Sequence, residues 1–221
     1  MYIGRIVSIA RTLDGRMCAG YRVSSRSFPN RVAVAKDDTI SIVPKAGSET
    51  DVLKNPYIAY NCARIVCGRT VAVVSNGSHT DVIAEKIESG MPVRDAAAYG
   101  LLALDYEKDQ YNTPRICAIA DRRDEGSGWL GIVRDNGLEV RRVYVEAGRF
   151  WYVATYEEVH ICEQPRGNFP AATAEEACAF LLSGGIFAER SHPITAAAAM
   201  ASEDGFVLAT KDFGESGARG A

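Results

Sequence analysis

The spacing of the apolar residues changes at Ser78, and the way it changes argues against a strictly alternating parallel sheet. Before that point the chain reads as strands. Segments 2–10 (YIGRIVSIA), 17–24 (MCAGYRVS), 39–43 (TISIV), 57–66 (YIAYNCARIV) and 70–76 (TVAVVSN) are short, rich in Val, Ile and Tyr, and separated by Gly, Pro and Asp. Ser78-His79-Thr80-Asp81 then approximates a capping box and opens a helix that stops at Gly90. Pro92 suits the first turn of a second helix, which carries Val93, Ala97, Leu101 and Leu104 on one face. A second run of strands follows at 115–121, 129–135, 138–145 and 149–157, with Asp135-Asn136-Gly137 as a hairpin turn and 121–128 as a mobile surface loop. Thr173 and Glu176 form a capping box for a further helix ending at Gly184-Gly185, and 205–210 reads as a closing strand.

Strands, two helices, strands and a helix predict an α+β fold whose sheets are mostly antiparallel and whose helices group on the outer faces. A four-layer αββα sandwich fits this order, and a two-layer α+β domain would satisfy it too. One domain is expected over 1–211, followed by a flexible C-terminal tail over 212–221, where GESGARGA is poor in anything that could pack.

Composition removes several function classes. The chain has 221 residues, with 25 basic against 28 acidic side chains and a net charge of −3, so a general nucleic-acid footprint is absent. The apolar run 194–201 (ITAAAAMA) falls far short of the ~20 residues a membrane span needs. Arg5, Arg11, Asp14 and Arg16 interrupt any secretory leader. The six cysteines include no CxxC pair, so they read as small buried hydrophobes in a reducing cytoplasm. His79, His160 and His192 form no ligand pair and support no metal site. No GxGxxG, P-loop lysine or GxSxG signature occurs.

Three polar clusters depart from their surroundings. Residues 21–31 (YRVSSRSFPNR) bring Arg22, Arg26 and Arg31 together with hydroxyls, a chemistry that suits phosphate; a solvated turn would explain the stretch as well. Residues 75–81 (SNGSHTD) join a strand to a helix, where backbone N–H groups and Gly77 could receive an anion, or merely make a turn. At 105–109 (DYEKD), three carboxylates oppose the helix macrodipole, which favours cations by ~0.3–1 kcal/mol. Crowding there would raise a carboxyl pKa and suit acid–base work, whereas a frayed solvated end would make the charges harmless. Read as a strand, 57–61 puts Tyr57 and Asn61 on one face and Tyr60 on the other.

Taken together, RVSSRSFPNR (22–31), NPYIAYNC (55–62), VVSNGSHTD (73–81), LDYEKD (104–109) with NTPR (112–115), and HPITAAAA (192–199) resemble the archaeal-type IMP cyclohydrolase family. The likeness runs in order from Met1 to about Lys211 and departs at 121–128, 160–170 and the tail. It implies an αββα fold similar to the N-terminal-nucleophile hydrolases. It further implies closure of 5-formamidoimidazole-4-carboxamide ribonucleotide (FAICAR) to IMP and water, the last step of de novo purine synthesis. In class terms this is a cyclic-amidine hydrolase working in the ring-closing direction. The chemistry asks for no redox centre, metal or folate, so no cofactor is expected. From the family pattern Arg31, Tyr60 and Glu107 are the catalytic candidates, with Tyr57 competing with Tyr60. Arg22 and Arg26 are candidates for the phosphate, and Ser75, Asn76, Ser78, Asn61 and Lys108 for base and ribose. Partners are the nucleotide substrate and product in a cytoplasmic homotetramer, with no nucleic acid and no membrane. Two other readings stand beside this one. An amidase of the N-terminal-nucleophile kind would need an exposed nucleophile that Met1-Tyr2 does not supply, and a silent purine-nucleotide-binding module would bind without turnover.

Overall fold

A computed structural model describes residues 2–124 and 126–214. In chain order the elements are β1 (Ile6–Arg11), β2 (Met17–Ser24), β3 (Arg31–Lys36), β4 (Thr39–Pro44), α1 (Asp51–Lys54), a 3₁₀ turn (Pro56–Ile58), β5 (Tyr60–Val66), β6 (Val71–Ser75), α2 (His79–Glu88) and α3 (Val93–Leu104). There follow β7 (Arg115–Asp121), β8 (Ser127–Arg134), β9 (Gly137–Tyr144), β10 (Arg149–Ala154), β11 (Gly167–Asn168), α4 (Ala174–Ser183), a second 3₁₀ turn (Gly185–Phe187), β12 (Pro193–Ser202) and β13 (Gly205–Asp212).

The strands make two sheets. One has six strands in the order β11-β10-β1-β2-β12-β13, the other seven in the order β3-β4-β5-β6-β7-β8-β9, and neighbours pair antiparallel throughout. Their inner faces share one core in which Val7, Ile9, Ala19 and Tyr21 meet Ala63, Ala72, Val74 and Ile116. The outer face of the six-stranded sheet packs on α4 through Ile6, Phe150, Leu181 and Phe187. The outer face of the seven-stranded sheet packs on α2 and α3 through Val71, Val73, Ile83 and Leu101. This is the four-layer αββα sandwich; the two-layer alternative is excluded because both faces of both sheets are covered. No described helix is long and apolar enough to cross a membrane.

The central strands are buried on both faces, which is why their apolar runs are continuous rather than alternating. All eight residues of β2 are buried. Gly20 sits where a Cβ would lie 2.6 Å from Leu181 Cδ1, so glycine lets α4 seat closely on this strand without moving that side chain. The alanine run around Ala196–Ala199 is the middle of β12. Alanine is a poor strand former, but here it is flanked by β2 and β13 and covered on both faces, and the small side chains admit close layers.

Other local expectations were corrected. The segment before Tyr60 is not strand. Asn55 Oδ1 accepts the Tyr57 N–H at 2.8 Å and holds the 3₁₀ turn, so face alternation does not extend back to Tyr57. β3 was not anticipated. Asp121 ends β7 and Ser127 begins β8, leaving a connection shorter than 121–128. The hairpin at 135–137 forms where expected, with Arg134 paired to Gly137. Thr173 caps α4 by accepting the Glu176 N–H at 3.1 Å, whereas the Ser78 side chain makes no cap. The expected tail over 212–221 starts too early, because Asp212 is the last residue of β13; residues 215–221 lie outside the described residues.

Candidate active site

α3 stops at Leu104 because Asp105 adopts φ +53° and turns the chain away from the helix axis. The turn is then folded on itself. Thr113 O accepts the Glu107 N–H at 2.8 Å, and the Asp109 carboxylate accepts the Thr113 N–H at 2.9 Å and its hydroxyl at 2.7 Å. This carries Glu107 off the helix end and into the protein, where it is 2% exposed. Its Oε2 accepts from Arg5 Nη2 at 3.1 Å, and Arg115 Nη1 stands 3.9 Å from Oε1. Oε1 itself receives no hydrogen bond among the described residues. Burial pushes the Glu107 pKa above the usual carboxylate range, opposed by Arg5 and Arg115. Like-charge crowding at a helix end was the expected cause; Asp109 adds to the rise, but desolvation dominates.

Tyr60, the first residue of β5, faces the inter-sheet core. Its Oη lies 2.6 Å from Tyr21 Oη of β2, with the ring centroids 6.4 Å apart. Arg31, the first residue of β3, is 3% exposed and donates Nε–H to Phe28 O at 3.1 Å. Burial raises the Tyr60 phenol, while the Arg31 and Arg5 cations favour its ionised form. Arg5 and Arg31 act on Tyr21 and on Glu107 as well, which puts two cations, one carboxylate and two phenols at one end of the sandwich.

That cluster adjoins a cavity of about 370 Å³ lined by Tyr2, Arg26, Ser27, Tyr111, Tyr156 and Glu157. Tyr156 joins the two: its ring has Arg5 Cζ 5.9 Å from the centroid, and its hydroxyl is 2.9 Å from Thr113 Oγ1. Tyr2 and Tyr111 pack against the same ring at 5.6 and 6.2 Å. Arg26 is exposed, with Cζ 4.2 Å from the Tyr2 centroid, so its donors are open to the cavity mouth. A larger cavity of about 440 Å³, bordered by Arg141, Tyr144, Trp151 and Glu163, adjoins none of these groups.

The structure thus brings Arg31, Tyr60 and Glu107 together and sets Arg26 beside them. It does not bring in the other candidates. Arg22 points to the opposite face of its sheet and donates to Leu181 O, Leu182 O, Phe187 O, Arg190 O and Ser24 Oγ. Asn61 faces the helical layer, accepting from Ser41 and donating to Asp81. Ser75 is buried against Thr80 and Gly77 O. Asn76 bonds Pro114 O at 2.9 Å and the Ile116 N–H at 2.8 Å, which anchors the start of β7 and with it Arg115. Ser78 is exposed at the start of α2, and Lys108 turns outward to Asp105 and the Tyr106 ring. Tyr57 lies 5.6 Å from Arg115 Cζ, at the margin of the cluster. At Gly77 the space opens to a side chain rather than to an anion: a Cβ would lie 2.3 Å from Arg115 Nη1.

Arg5, Tyr21, Arg115 and Tyr156 belong to the site and were not singled out from the sequence. Arg5 carried a readable signal, a lone cation between Ile3 and Ile6, and Arg115 lay in the NTPR block. Tyr21 and Tyr156 looked like ordinary strand aromatics.

The αββα sandwich thus holds, at one end, a buried carboxylate whose Oε1 receives no hydrogen bond among the described residues, together with phenols, arginines and an aromatic cavity. The chain belongs to the IMP cyclohydrolase-like protein family, whose match spans residues 2–205. It is 48% identical over 205 residues to the IMP cyclohydrolase of Methanosphaera stadtmanae, covering 92% of this chain and 96% of that one. The IMP cyclohydrolase of Methanococcus maripaludis strain S2 is 47% identical, covering 95% and 100%. That of Methanocaldococcus jannaschii is 44% identical, covering 96% and 99%.

Proposed function

We propose that this chain is an IMP cyclohydrolase that closes FAICAR to IMP with loss of water, and that Glu107, Tyr60 and Arg31 are its catalytic residues. The observation that carries the assignment of roles is the unpaired Glu107 Oε1, a buried acceptor held beside Arg5 and Arg115. The nucleophile is a carboxamide nitrogen, weakened by resonance, and the electrophile is a formyl carbon on the same ring. Holding the two in contact supplies much of the acceleration, since effective molarities reach ~10⁵ M or more. As the C–N bond forms, the amide proton passes to Glu107, and the charge developing on the formyl oxygen is met by the Tyr60 O–H and the Arg31 guanidinium. Glu107 then returns that proton to the formyl oxygen, making it a hydroxyl; the C–O bond breaks as the formamido nitrogen gives up its own proton to complete the departing water, and the C=N bond that forms closes the ring. The raised pKa suits this two-way traffic, because burial makes the carboxylate a better proton acceptor than an exposed one while it can still release the proton.

Arg26 is the cation for the substrate phosphate, and the Tyr2, Tyr111 and Tyr156 rings offer π-faces to the base. Arg5 and Arg115 hold Glu107 in place. We further propose a cytoplasmic setting and a homotetrameric assembly, to be checked by light scattering. The test of function is turnover: metal-free protein mixed with FAICAR should yield IMP above the uncatalysed rate, followed by chromatography. A folded sample that binds IMP without producing it would replace the enzyme by a silent nucleotide-binding module.

A further inference from the structure

We infer that Tyr21 is a positioning residue that dictates the direction of the Tyr60 O–H, so that this proton points toward the site and not into the core. The inference rests on the reading of Tyr60 as a donor to substrate. The two hydroxyls are 2.6 Å apart, and either atom could donate on distance alone. The surroundings decide. Tyr21 is fully buried, and among the described residues its hydroxyl has no hydrogen-bond partner other than Tyr60 Oη. The charged groups near the pair are Arg5 and Arg31, and guanidinium groups carry donors and no acceptor.

If Tyr60 donated to Tyr21, the Tyr21 proton would be left in the core with nothing to receive it, at a cost of ~1–3 kcal/mol. If Tyr21 donates to Tyr60, both groups are accommodated. The Tyr21 proton is bonded, and Tyr60, which is half-buried, keeps its own proton for the open end of the site. A phenol that accepts one hydrogen bond is also a better donor in the next, because the chain is polarised in one sense. The geometry therefore makes a one-way relay of hydrogen-bond polarity from β2 through β5 toward the substrate oxygen, without any proton leaving Tyr21.

The experiment has one readout that needs no turnover and one that does. Protein labelled with a ring-fluorinated tyrosine, whose phenol ionises at lower pH, is titrated by ¹⁹F NMR. The Tyr60 resonance is identified by its loss in Tyr60→Phe. The groups facing Tyr60 are Arg5 before β1, Arg31 in β3, Cys62 in β5 and Tyr21 in β2, and only the last is changed in Tyr21→Phe. If Tyr21 donates, losing it withdraws a bond from the Tyr60 phenolate, and the Tyr60 midpoint moves up. A midpoint that stays or moves down overturns the inference.

In the kinetic arm, Tyr21→Phe should lower kcat about tenfold with KM little changed. The double variant Tyr21→Phe/Tyr60→Phe should be no slower than Tyr60→Phe alone, because Tyr21 acts through Tyr60. Losses that simply multiply would mean a structural role and overturn the inference. An upward midpoint together with full turnover in Tyr60→Phe supports the assigned direction and overturns the catalytic role of Tyr60 instead.

Discussion

Arg22, buried in β2, and Arg5, half-buried just before β1, lie on opposite sides of the same sheet, and their surroundings differ in one respect that matters. Arg22 faces α4, where its donors are taken up by four backbone carbonyls at the end of α4 and just beyond it, and by Ser24 Oγ. Cations are favoured at the end of a helix, where carbonyls lack intrahelical partners, and Arg22 uses them to fasten α4 to β2. No carboxylate is paired with it among the described residues, and burial and the nearby Arg190 depress its pKa to about 10. Arg5 faces the other way and pairs with Glu107, whose second oxygen receives no hydrogen bond among the described residues. A buried charge with every bond made is part of the architecture. One held in place with an unmet bond keeps a free-energy cost that a ligand can relieve.

The comparison can be broken, and the largest expected effect lies at Glu107. Glu107→Gln should lower kcat by a factor of ~10²–10⁴, the range for loss of a positioned acid–base group. The melting temperature should fall little, because the amide oxygen still accepts from Arg5. A variant with wild-type kcat would remove Glu107 from the proton path. Arg22→Met should do the reverse. Leaving the carbonyls around it unbonded costs about 3 kcal/mol, a drop of roughly 6–12 °C in Tm by calorimetry, with kcat per folded molecule unchanged. If it instead kept its Tm and lost affinity for the nucleotide, Arg22 would belong to the site after all.

Arg26→Ala should raise KM for FAICAR about 10–100-fold at nearly constant kcat, since a charged hydrogen bond to phosphate is worth ~1.5–3 kcal/mol. An unchanged KM would leave the phosphate without its assigned partner. The smallest effect sharpens the pairing of Arg5 with Glu107. Glu107 must be ionised to accept the amide proton, so kcat/KM falls as pH drops through its raised pKa. The Arg5 cation favours the charged form, and Arg5→Gln should therefore move that fall to higher pH. A shift toward lower pH in the pH–rate profile would contradict the pairing.

Much of this was legible beforehand, for identifiable reasons. The two helices after β6 and the Thr173 cap show because capping residues and helical spacing are local signals. Arg31, Tyr60 and Glu107 could be named as candidates because they sit in blocks that carry the family likeness. β12 was missed because its alanines have no strand preference, and only the layers above and below make a strand of them. Asn61, Ser75 and Asn76 looked like ligand groups because amides and hydroxyls near a helix start can serve either a ligand or the backbone. Here they are bonded within the protein.

What the order of residues determined was most of the element order, the α+β class, the family and the candidate side chains Arg31, Tyr60 and Glu107, since all of these depend on local period and on short blocks of residues. What the tertiary structure alone decided was environment. The same residue type became a staple at Arg22 and a carboxylate's partner at Arg5, Glu107 gained its raised pKa chiefly from burial with its chain neighbour Asp109 adding less, and Tyr21 became the partner of Tyr60 across 39 positions. Hydrogen-bond completion and desolvation depend on which distant segments close around a group, and that information exists only once the sheets have stacked.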